Sequence, residues 1–379
     1  MDEDTHINLI LDTETTTFQK GNPFARRNKL CYIGSSIEGR DILITDESGI
    51  FDIGRRFRDS SQIVGFNLKF DFHWVRRYGE TSYRDKRIWD CQCAHFLLTG
   101  QRVLYPSLEG VCEYYNIPGK LNIVKEQYWD NNIDTIDIPT DTMVEYLTQD
   151  LDSTYNVFLH QTEDFKKYPK LYNLFRLNCQ DLLVLAEMEW NGLMINKDLM
   201  IERAKELEQK LEEINNKLKK YDPYNVVNWN SVNHLSTILY GGTIEVIEKE
   251  PIGIYKSGAK INKIHYKNIT RTYPFAGLVK PLQGSELKKE GYWSTDEPTL
   301  RQLKKHPVLE LLLERSKFVK QLESFKGLPE LIEEMDWEDN ILHGQFNQCV
   351  AVTGRLSASK PNQHNFFPEL KECIISRMK

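Results

Sequence analysis

Four acidic side chains and one tyrosine have the types and spacing needed for chemistry. Asp12 and Glu14 stand one residue apart after an apolar run, Asp71 follows a second apolar run, and Tyr146 precedes Asp150 by four residues. Carboxylate oxygens are the ligands that Mg²⁺ and Mn²⁺ prefer. Four carboxylates could hold two such cations roughly 3.5–4 Å apart, an arrangement that hydrolyses phosphodiesters. A tyrosine beside the attacking water would orient it or help to take its proton.

Three strands are predicted around the first pair of acids. The Ile- and Leu-rich run 7–11 predicts a buried strand, and alternation along it points Asp12 and Glu14 to one face. Residues 28–34 and 41–45 predict two more strands, which form a hairpin beside the first. Two carboxylates on one face repel each other, so we expect a cation between them. Taken alone, the pair is also compatible with a strand that runs into an acidic surface turn.

Asp71 is predicted on a helix that follows another strand. Residues 62–65 predict that strand, and Asn67 is a plausible N-cap of the helix. Asp71 then lies one turn inside the helix, where its carboxylate points back toward the strand ends. Asp90 is a rival acid for a metal role, but we interpret it as a cap. His73 is interpreted as a packing or surface residue because a hard-metal site needs no imidazole.

Tyr146 and Asp150 are predicted on a longer helix. Thr140 or Asp141 precedes an amphipathic run and is expected to cap it. Because Tyr146 and Asp150 are four residues apart, they occupy one face of that helix. Residues 90–117 predict two shorter helices joined by a loop, which we interpret as scaffold.

The order and spacing of these residues resemble the DEDD superfamily of 3′-to-5′ exonucleases in its tyrosine subclass. The three motifs of that superfamily correspond to residues 12–14, 67–71 and 146–150. The segment Gly65-Phe-Asn-Leu-Lys-Phe-Asp71 also resembles the proofreading domain of family A DNA polymerases, the group of bacterial DNA polymerase I.

The resemblance implies an α/β fold class and a set of site residues. It implies a ribonuclease-H-like mixed sheet with flanking helices over 1–163, a mainly helical thumb over 164–335 and the start of a palm over 336–379. It also implies two bound divalent cations, Mg²⁺ or Mn²⁺. The implied residues are the metal-binding and catalytic acids Asp12, Glu14, Asp71 and Asp150, the water-positioning Tyr146, and the DNA contacts Thr15 and Asn67.

The second half of the chain keeps resembling family A polymerases. The segment 184–195 resembles the entry into the polymerase region, where Gly192 would allow a tight turn between a helix and a strand. A stripe of apolar residues follows, typical of a coiled coil or of a thumb helix packed on the body. Its members are Met200, Ala204, Leu207, Leu211, Ile214 and Leu218. Residues 243–293 predict an extended insertion or hairpin whose basic character favours contact with duplex phosphates.

Helical patterns return in residues 299–306 and 307–325. The second of these segments resembles the family's helix along the primer-template. The resemblance implies that Arg315 and Lys317 contact DNA from that helix.

Residues 352–365 resemble the template-binding segment of the family. Gln363 and His364 depart from the pattern, because the family usually has Leu and Gln there. The implied DNA-binding residues are Arg355, Asn362 and Asn365. For Arg355 the alternative is an ordinary surface arginine.

Composition separates an acidic part from a basic part. The formal net charge is −6, yet residues 251–320 contain fourteen Lys and Arg against six Asp and Glu. This split favours an acidic metal-binding part joined to a basic part that holds nucleic acid; a solvated charged surface is the alternative. The acidic start at 1–4 and the lack of long apolar runs predict no membrane segment and a cytoplasmic location. The seven scattered cysteines predict reduced core thiols.

The sequence stops before the segments that hold the polymerase aspartates in the family. We therefore expect a proofreading exonuclease within a split or truncated family A polymerase, with a second polypeptide that supplies the rest of the palm and the fingers. Single-stranded 3′ ends and primer-template duplex are the expected DNA partners. A phage origin, with the protein in the host cytoplasm, is also expected. The alternatives are a stand-alone exonuclease or ribonuclease, and a DNA-binding scaffold without catalysis.

Overall fold

The computed structural model describes residues 7–118, 123–254, 262–338 and 340–376. Parts of three predictions lie outside these ranges: the acidic start at 1–4, the middle of the predicted insertion at 255–261, and the last residues of the predicted palm at 377–379. Contacts divide the chain into two compact units, one of Met1–Lys197 with Gly327–Lys379 and one of Asp198–Lys326.

The strands lie mainly in the first unit, apart from one long hairpin. In chain order they are β1 (Asn8–Thr15), β2 (Leu30–Ile37), β3 (Arg40–Thr45), β4 (Gln62–Gly65), β5 (Arg87–Asp90), β6 (Leu193–Ile195), β7 (Gly242–Ile254), β8 (Ile264–Phe275), β9 (Ile341–Leu342), β10 (Gln345–Asn347), β11 (Ser357–Ser359) and β12 (Ile374–Ile375).

Helices flank the strands of the first unit and form most of the second. They are α1 (Ile50–Asp59), α2 (Leu68–Arg77), α3 (Cys91–Leu98), α4 (Leu108–Tyr115), α5 (Ile123–Gln127), α6 (Thr140–Lys166), α7 (Pro169–Asn191), α8 (Lys197–Leu218), α9 (Val232–Tyr240), α10 (Glu297–Gln302), α11 (Pro307–Glu334) and α12 (Pro368–Lys371). Within the described ranges, none of these helices has both the length and the apolar composition that a membrane span needs.

A five-stranded mixed sheet, in the order β3-β2-β1-β4-β5, forms the centre of the first unit. Strand β1 pairs antiparallel with β2 and parallel with β4. Residues Leu9, Ile10 and Leu11 are at most 1% exposed, because both faces of this strand are covered. The predicted fold class, a mixed sheet with flanking helices, is confirmed.

The two faces of β1 pack against different helices. Leu9 and Leu11 share a core cluster with Leu68 and Phe72 of α2, whereas Ile10 shares a cluster with Leu151 of α6. Because side chains alternate along a strand, residues with even numbers after Ile10 face α6 and residues with odd numbers face α2. This alternation decides which helix each acid of β1 meets.

Close packing of α6 on the sheet depends on Gly34 of β2. Gly34 is the register partner of Asp12, and a Cβ atom there would lie 2.7 Å from Cγ of Leu147. A larger residue would push α6 away from the sheet. Helix α6 begins at Thr140 with Pro139 in the N-cap position and no side-chain capping bond. The predicted caps Thr140 and Asp141 are therefore wrong by one residue or more, and the helix itself is as predicted.

The second unit has its own apolar core. The six predicted stripe residues of α8 are all buried, as expected. Ile214 and Leu218 pack with Leu239 of α9 and with residues at the start of α11, such as Leu312. The unit is a helical body that carries one hairpin.

The hairpin of β7 and β8 occupies the start of the predicted insertion. Its strands pair antiparallel from Gly242 opposite Phe275 to Ile254 opposite Ile264. The guanidinium of Arg271 on β8 forms an ion pair of 3.0 Å with Glu248 on β7. Part of the predicted basic charge is therefore neutralised within the hairpin, and its contact with duplex phosphates stays a prediction.

Candidate active site

Three carboxylates meet between β1 and α6. Asp12, Glu14 and Asp150 each offer an oxygen atom, and these oxygens lie within 4.8 Å of one another. Asp12 and Glu14 are half-buried on the face of β1 that packs against α6, and Asp150 on that helix is buried. Like charges this close disfavour joint ionisation unless a cation balances them. Alternation and the turn of α6 bring these three acids together as predicted.

Tyr146 lies one helical turn before Asp150 and beside the same carboxylates. Its side chain is 3% exposed and packs edge-on against Trp129, with ring centroids 5.7 Å apart. Burial first, and then the negative charges of Glu14 and Asp150, raise the pKa of Tyr146 far above its ordinary value. The phenol therefore keeps its proton at neutral pH and donates a hydrogen bond to Asp150.

Asp71 approaches β1 from the opposite side. It is 2% exposed on α2, and the hydroxyl of Thr13 donates a hydrogen bond of 2.6 Å to its Oδ1 atom. Burial and the charge of Asp12 raise the pKa of Asp71 well above its ordinary value. The acids therefore come from both faces of one strand, and Asp71 stands outside the group of three that α6 completes. Sequence reasoning did not single out Thr13.

The donor set suits a divalent cation. The three grouped ligands are carboxylates, which match the hard, oxygen-seeking ions Mg²⁺, Mn²⁺ and Ca²⁺ better than softer transition metals. Neighbouring carboxylates that raise each other's proton affinity also favour any cation that can replace the proton. The arrangement can therefore hold at least one divalent ion.

Asp90 is a cap, as predicted. Its Oδ1 atom accepts the backbone N–H of Cys93 in the first turn of α3, and its Oδ2 atom accepts that of Leu68, the first residue of α2, both at 2.8 Å. Asn67 does stand at the N-cap position of α2, but its backbone is left-handed (φ 64°) and its side chain makes no capping bond. The predicted capping role of Asn67 is wrong because Asp90 takes it.

The residues predicted to contact DNA have varied surroundings. Lys317 on α11 is exposed, as are Arg355, Asn67 and Asn365. Thr15 is buried, and its hydroxyl donates to the backbone carbonyl of Thr16. These positions leave the DNA contacts as predictions.

Two further residues in that set already have partners within the protein. The guanidinium of Arg315 donates to Asn215, to the carbonyl of Trp229 and to Asn230, each at 2.9 Å. The side chain of Asn362 accepts a hydrogen bond from the backbone of His364. Both residues help to build their own segments, and a contact with DNA stays a prediction.

A second buried polar group lies on the other side of α2. Glu189 on α7 binds Lys69 and His73 of α2, which flank Asp71 in the sequence. Burial raises the pKa of Glu189, but the hydrogen bond from His73 and the charge of Lys69 outweigh it and hold this pKa below its ordinary value. Lys69 and Glu189 lie in segments that resemble the polymerase family, but the sequence predicts no role for either one.

Two parts of the chain match models of known protein families. A family model described as 3′-5′ exonuclease matches residues 5–163, and one described as DNA polymerase family A matches residues 275–372. DNA polymerase I of Synechocystis sp. is 28% identical over 266 residues, which are 68% of this chain and 22% of that protein. DNA polymerase I of Borreliella burgdorferi is 26% identical over 318 residues, 82% of this chain and 29% of that protein.

A solved structure shares the fold. It is the POL domain of Pol1 from M. smegmatis, in complex with DNA primer-template and dNTP, with a TM-score of 0.70 at 15% identity. The match covers 98% of this chain and 55% of that one. The chain thus spans between a fifth and a third of the length of the two curated relatives. The chain is thus similar to the exonuclease-containing part of family A DNA polymerases, with the 3′-5′ exonuclease model matched at 5–163 and the polymerase model at 275–372.

Proposed function

We propose that this protein is a metal-dependent exonuclease that removes nucleotides from the 3′ end of DNA, as the proofreading part of a family A DNA polymerase. The observation that carries the proposal is the meeting of Asp12, Glu14 and Asp150 inside the matched exonuclease domain. A protein gains nothing for its stability by holding mutually repelling carboxylates together. Their grouping is explained if they serve a cation.

Asp12, Glu14, Asp71 and Asp150 are the proposed ligands of two divalent cations, Mg²⁺ or Mn²⁺. When bound, such ions activate a water molecule and stabilise the leaving oxygen of a phosphodiester. The protein contributes the positions of its ligands from two faces of β1. Asp12 takes part on both sides, because its charge acts on Asp71 and one of its oxygens lies within 4.8 Å of those of Glu14 and Asp150.

Tyr146 is proposed to orient the attacking water. Its raised pKa means that it is a phenol and not a phenolate at neutral pH; its single proton is donated to Asp150, so its oxygen would accept a hydrogen bond from the water. Of the two roles considered from the sequence, orientation is therefore favoured over removal of a proton. The bond to Asp150 fixes the direction of the phenol group.

DNA is the proposed substrate and partner. The solved relative from M. smegmatis is in complex with primer-template DNA, and its fold is shared over 98% of this chain. We propose that single-stranded 3′ ends bind at the cluster of Asp12, Glu14 and Asp150, with Thr15 and Asn67 as further contacts. For duplex DNA we keep the predicted contacts Arg315, Lys317, Arg355, Asn362 and Asn365.

The roles of the larger segments are also proposals. We propose an exonuclease over 1–163, a thumb over 164–335 and the start of a palm over 336–379. A second polypeptide that carries further palm and fingers segments is proposed as a partner for nucleotide addition. A tagged pull-down that returns no polymerase-like subunit would count against this part. A cytoplasmic location, in a host cell if the protein comes from a phage, stays a prediction.

One reaction set tests the activity. A 5′-labelled strand, single-stranded or as a primer with a matched or mismatched 3′ end, is incubated with MgCl₂ and either wild type or Asp12→Ala. We expect shortening from the 3′ end by wild type alone. Equal shortening by both proteins, or none by either, would refute the proposed activity. Faster degradation of a labelled RNA would instead favour the stand-alone ribonuclease.

A further inference from the structure

Glu189 is a buried carboxylate that lies outside the matched exonuclease segment. It is 3% exposed on α7, and three hydrogen-bond donors converge on it. Its Oε1 atom accepts Nζ of Lys69 and the backbone N–H of Phe346, both at 2.5 Å. Its Oε2 atom lies 2.8 Å from Nε2 of His73. The ammonium of Lys69 also donates to the carbonyl of Phe346, so one compact network joins α2, α7 and β10.

The network holds one face of α2, and the proposed metal ligand lies on the other face. Lys69 and His73 are four residues apart and therefore share a face of the helix. Asp71 stands midway between them, about half a turn around the helix axis, and accepts its bond from Thr13 of β1. Helix α2 is thus fixed between Glu189 on one side and β1 on the other.

We propose that Glu189 is a positioning residue for the exonuclease: by binding Lys69 and His73 it fixes the rotation and height of α2, and so the place of Asp71 beside Asp12. This inference rests on the proposed function, because it assigns Asp71 a cation. Metal-dependent hydrolysis is sensitive to such placement, since a displacement of about 1 Å costs roughly a hundredfold in rate. Phe346 lies in the segment matched by the polymerase family, so the network also makes the exonuclease helix depend on that segment.

Glu187 supplies a matched control. It lies two residues earlier on α7 and also binds α2, through an ion pair of 2.9 Å with Arg76. Its side chain is 39% exposed, and it pairs in addition with Arg84. Arg76 stands beyond the turn that contains Asp71. Loss of this ion pair removes a contact between the same two helices but leaves the network of Glu189, Lys69 and His73 intact.

The test combines rate and metal binding. Glu189→Gln, Glu189→Asp and Glu187→Gln are made alone, and Glu189→Gln is also joined to Asp71→Asn. Single-turnover shortening of a 5′-labelled strand is measured over a MgCl₂ titration, and Mn²⁺ binding is measured by electron paramagnetic resonance. All measurements are made where circular dichroism shows each protein to be folded.

We expect Glu189→Gln to lower the maximal rate tenfold or more and to raise the MgCl₂ concentration that gives the half-maximal rate. It should also lower the affinity for the same Mn²⁺ ion whose binding Asp71→Asn weakens. Glu189→Asp should recover part of the loss because it keeps the charge. Glu187→Gln should stay within about twofold of wild type. In the Asp71→Asn background, Glu189→Gln should add little, because Asp71 is the residue through which it acts.

Several results would overturn the inference. Wild-type rate and Mn²⁺ binding in Glu189→Gln would do so, as would effects of Glu189→Gln and Asp71→Asn that multiply independently. If Glu189→Gln does not fold, Glu189→Asp carries the same test with Mn²⁺ binding, and failure of both to fold would show a purely structural residue. If wild type does not shorten DNA at all, the proposed function fails, whereas Mn²⁺ binding still decides the role of Glu189.

Discussion

Two polar groups, each built around a buried carboxylate, lie on opposite sides of helix α2 and have opposite kinds of partners. Toward β1, burial and then the charge of Asp12 raise the pKa of Asp71. Toward α7, Glu189 meets Lys69, His73 and a backbone amide, and its pKa is lowered. The carboxylate of Glu189 is thus neutralised by partners within the protein, whereas the carboxylate of Asp71 is crowded by another negative charge. The crowded group is the one suited to bind something from outside.

The largest difference between the two groups should appear in activity. We expect Asp150→Asn to lower the exonuclease rate roughly a thousandfold, because it removes a charged ligand where transition-state charge must be balanced. The measurement is shortening of a 5′-labelled strand under single-turnover conditions. Asp152→Asn, an exposed position on the same helix, is the control and should keep the wild-type rate. A rate within tenfold of wild type in Asp150→Asn would remove Asp150 from the site.

The next difference should appear in stability, on the satisfied side of α2. Glu189→Gln leaves the ammonium of Lys69, whose side chain is 15% exposed, without its counter-charge, which costs about 3 kcal/mol in comparable buried pairs. We expect a clear fall in the midpoint of thermal unfolding, followed by circular dichroism. Glu187→Gln should lower the free energy of unfolding by less than about 1 kcal/mol, because its ion pair is partly exposed. Equal losses in both variants would mean that burial of the Glu189 network adds nothing to the free energy of unfolding beyond that of an exposed ion pair.

The pH dependence of stability in EDTA should have opposite signs for the two groups. The raised pKa of Asp71 contributes stability that is complete below its ordinary value of 3.8 and is lost as pH rises through the folded value. The lowered pKa of Glu189 contributes stability above its ordinary value of 4.5 that is lost as pH falls through the folded value. Each slope is at most about 1.4 kcal/mol per pH unit.

Urea unfolding of wild type, Asp71→Asn and Glu189→Gln over a pH series measures these slopes. The advantage of wild type over Glu189→Gln should shrink only below about pH 4.5. The deficit of wild type relative to Asp71→Asn should grow as pH rises from about 4. Parallel curves for all three proteins would show that neither carboxylate has a shifted pKa.

The smallest expected effect is a gain. At neutral pH and without metal, Asp71→Asn should stabilise the protein by about 1 kcal/mol, because it removes the cost of burying a carboxylate and its repulsion from Asp12, while the amide oxygen can still accept from Thr13. Thermal unfolding in EDTA measures this gain. In excess MnCl₂ the order should reverse, since only wild type binds the ion fully. If Asp71→Asn is instead less stable than wild type in EDTA, the carboxylate of Asp71 must make a favourable interaction beyond its hydrogen bond with Thr13.

Local spacing was enough to predict the group around α6. Asp12 and Glu14 share a face because a strand alternates, and Tyr146 and Asp150 share a face because a helix turns in about four residues. These relations hold within a few residues and depend little on the rest of the fold. The mixed sheet could be predicted mainly through the resemblance to the exonuclease family.

Relations across the chain were not visible in the sequence. The cap of α2 was assigned to Asn67 as the nearest polar residue, whereas Asp90, twenty-two positions from Leu68, provides it. Glu189 is 120 positions from Lys69, and no local rule joins them. The face of β1 that Asp71 contacts depends on how α2 packs. Its hydrogen bond with Thr13 reveals that face, and this bond is visible only in the structure. The prediction at Thr140 failed for a local reason, because the neighbouring Pro139 takes the N-cap position.

Asp90 has a consequence for how the molecule opens in time. One carboxylate holds the first turns of both α2 and α3, so neither helix end can fray without disturbing the other. The amide protons of Leu68 and Cys93 are then expected to exchange with solvent through one common opening event. The helix that carries Asp71 would therefore open at the same rate as α3, a helix that carries none of the proposed metal ligands.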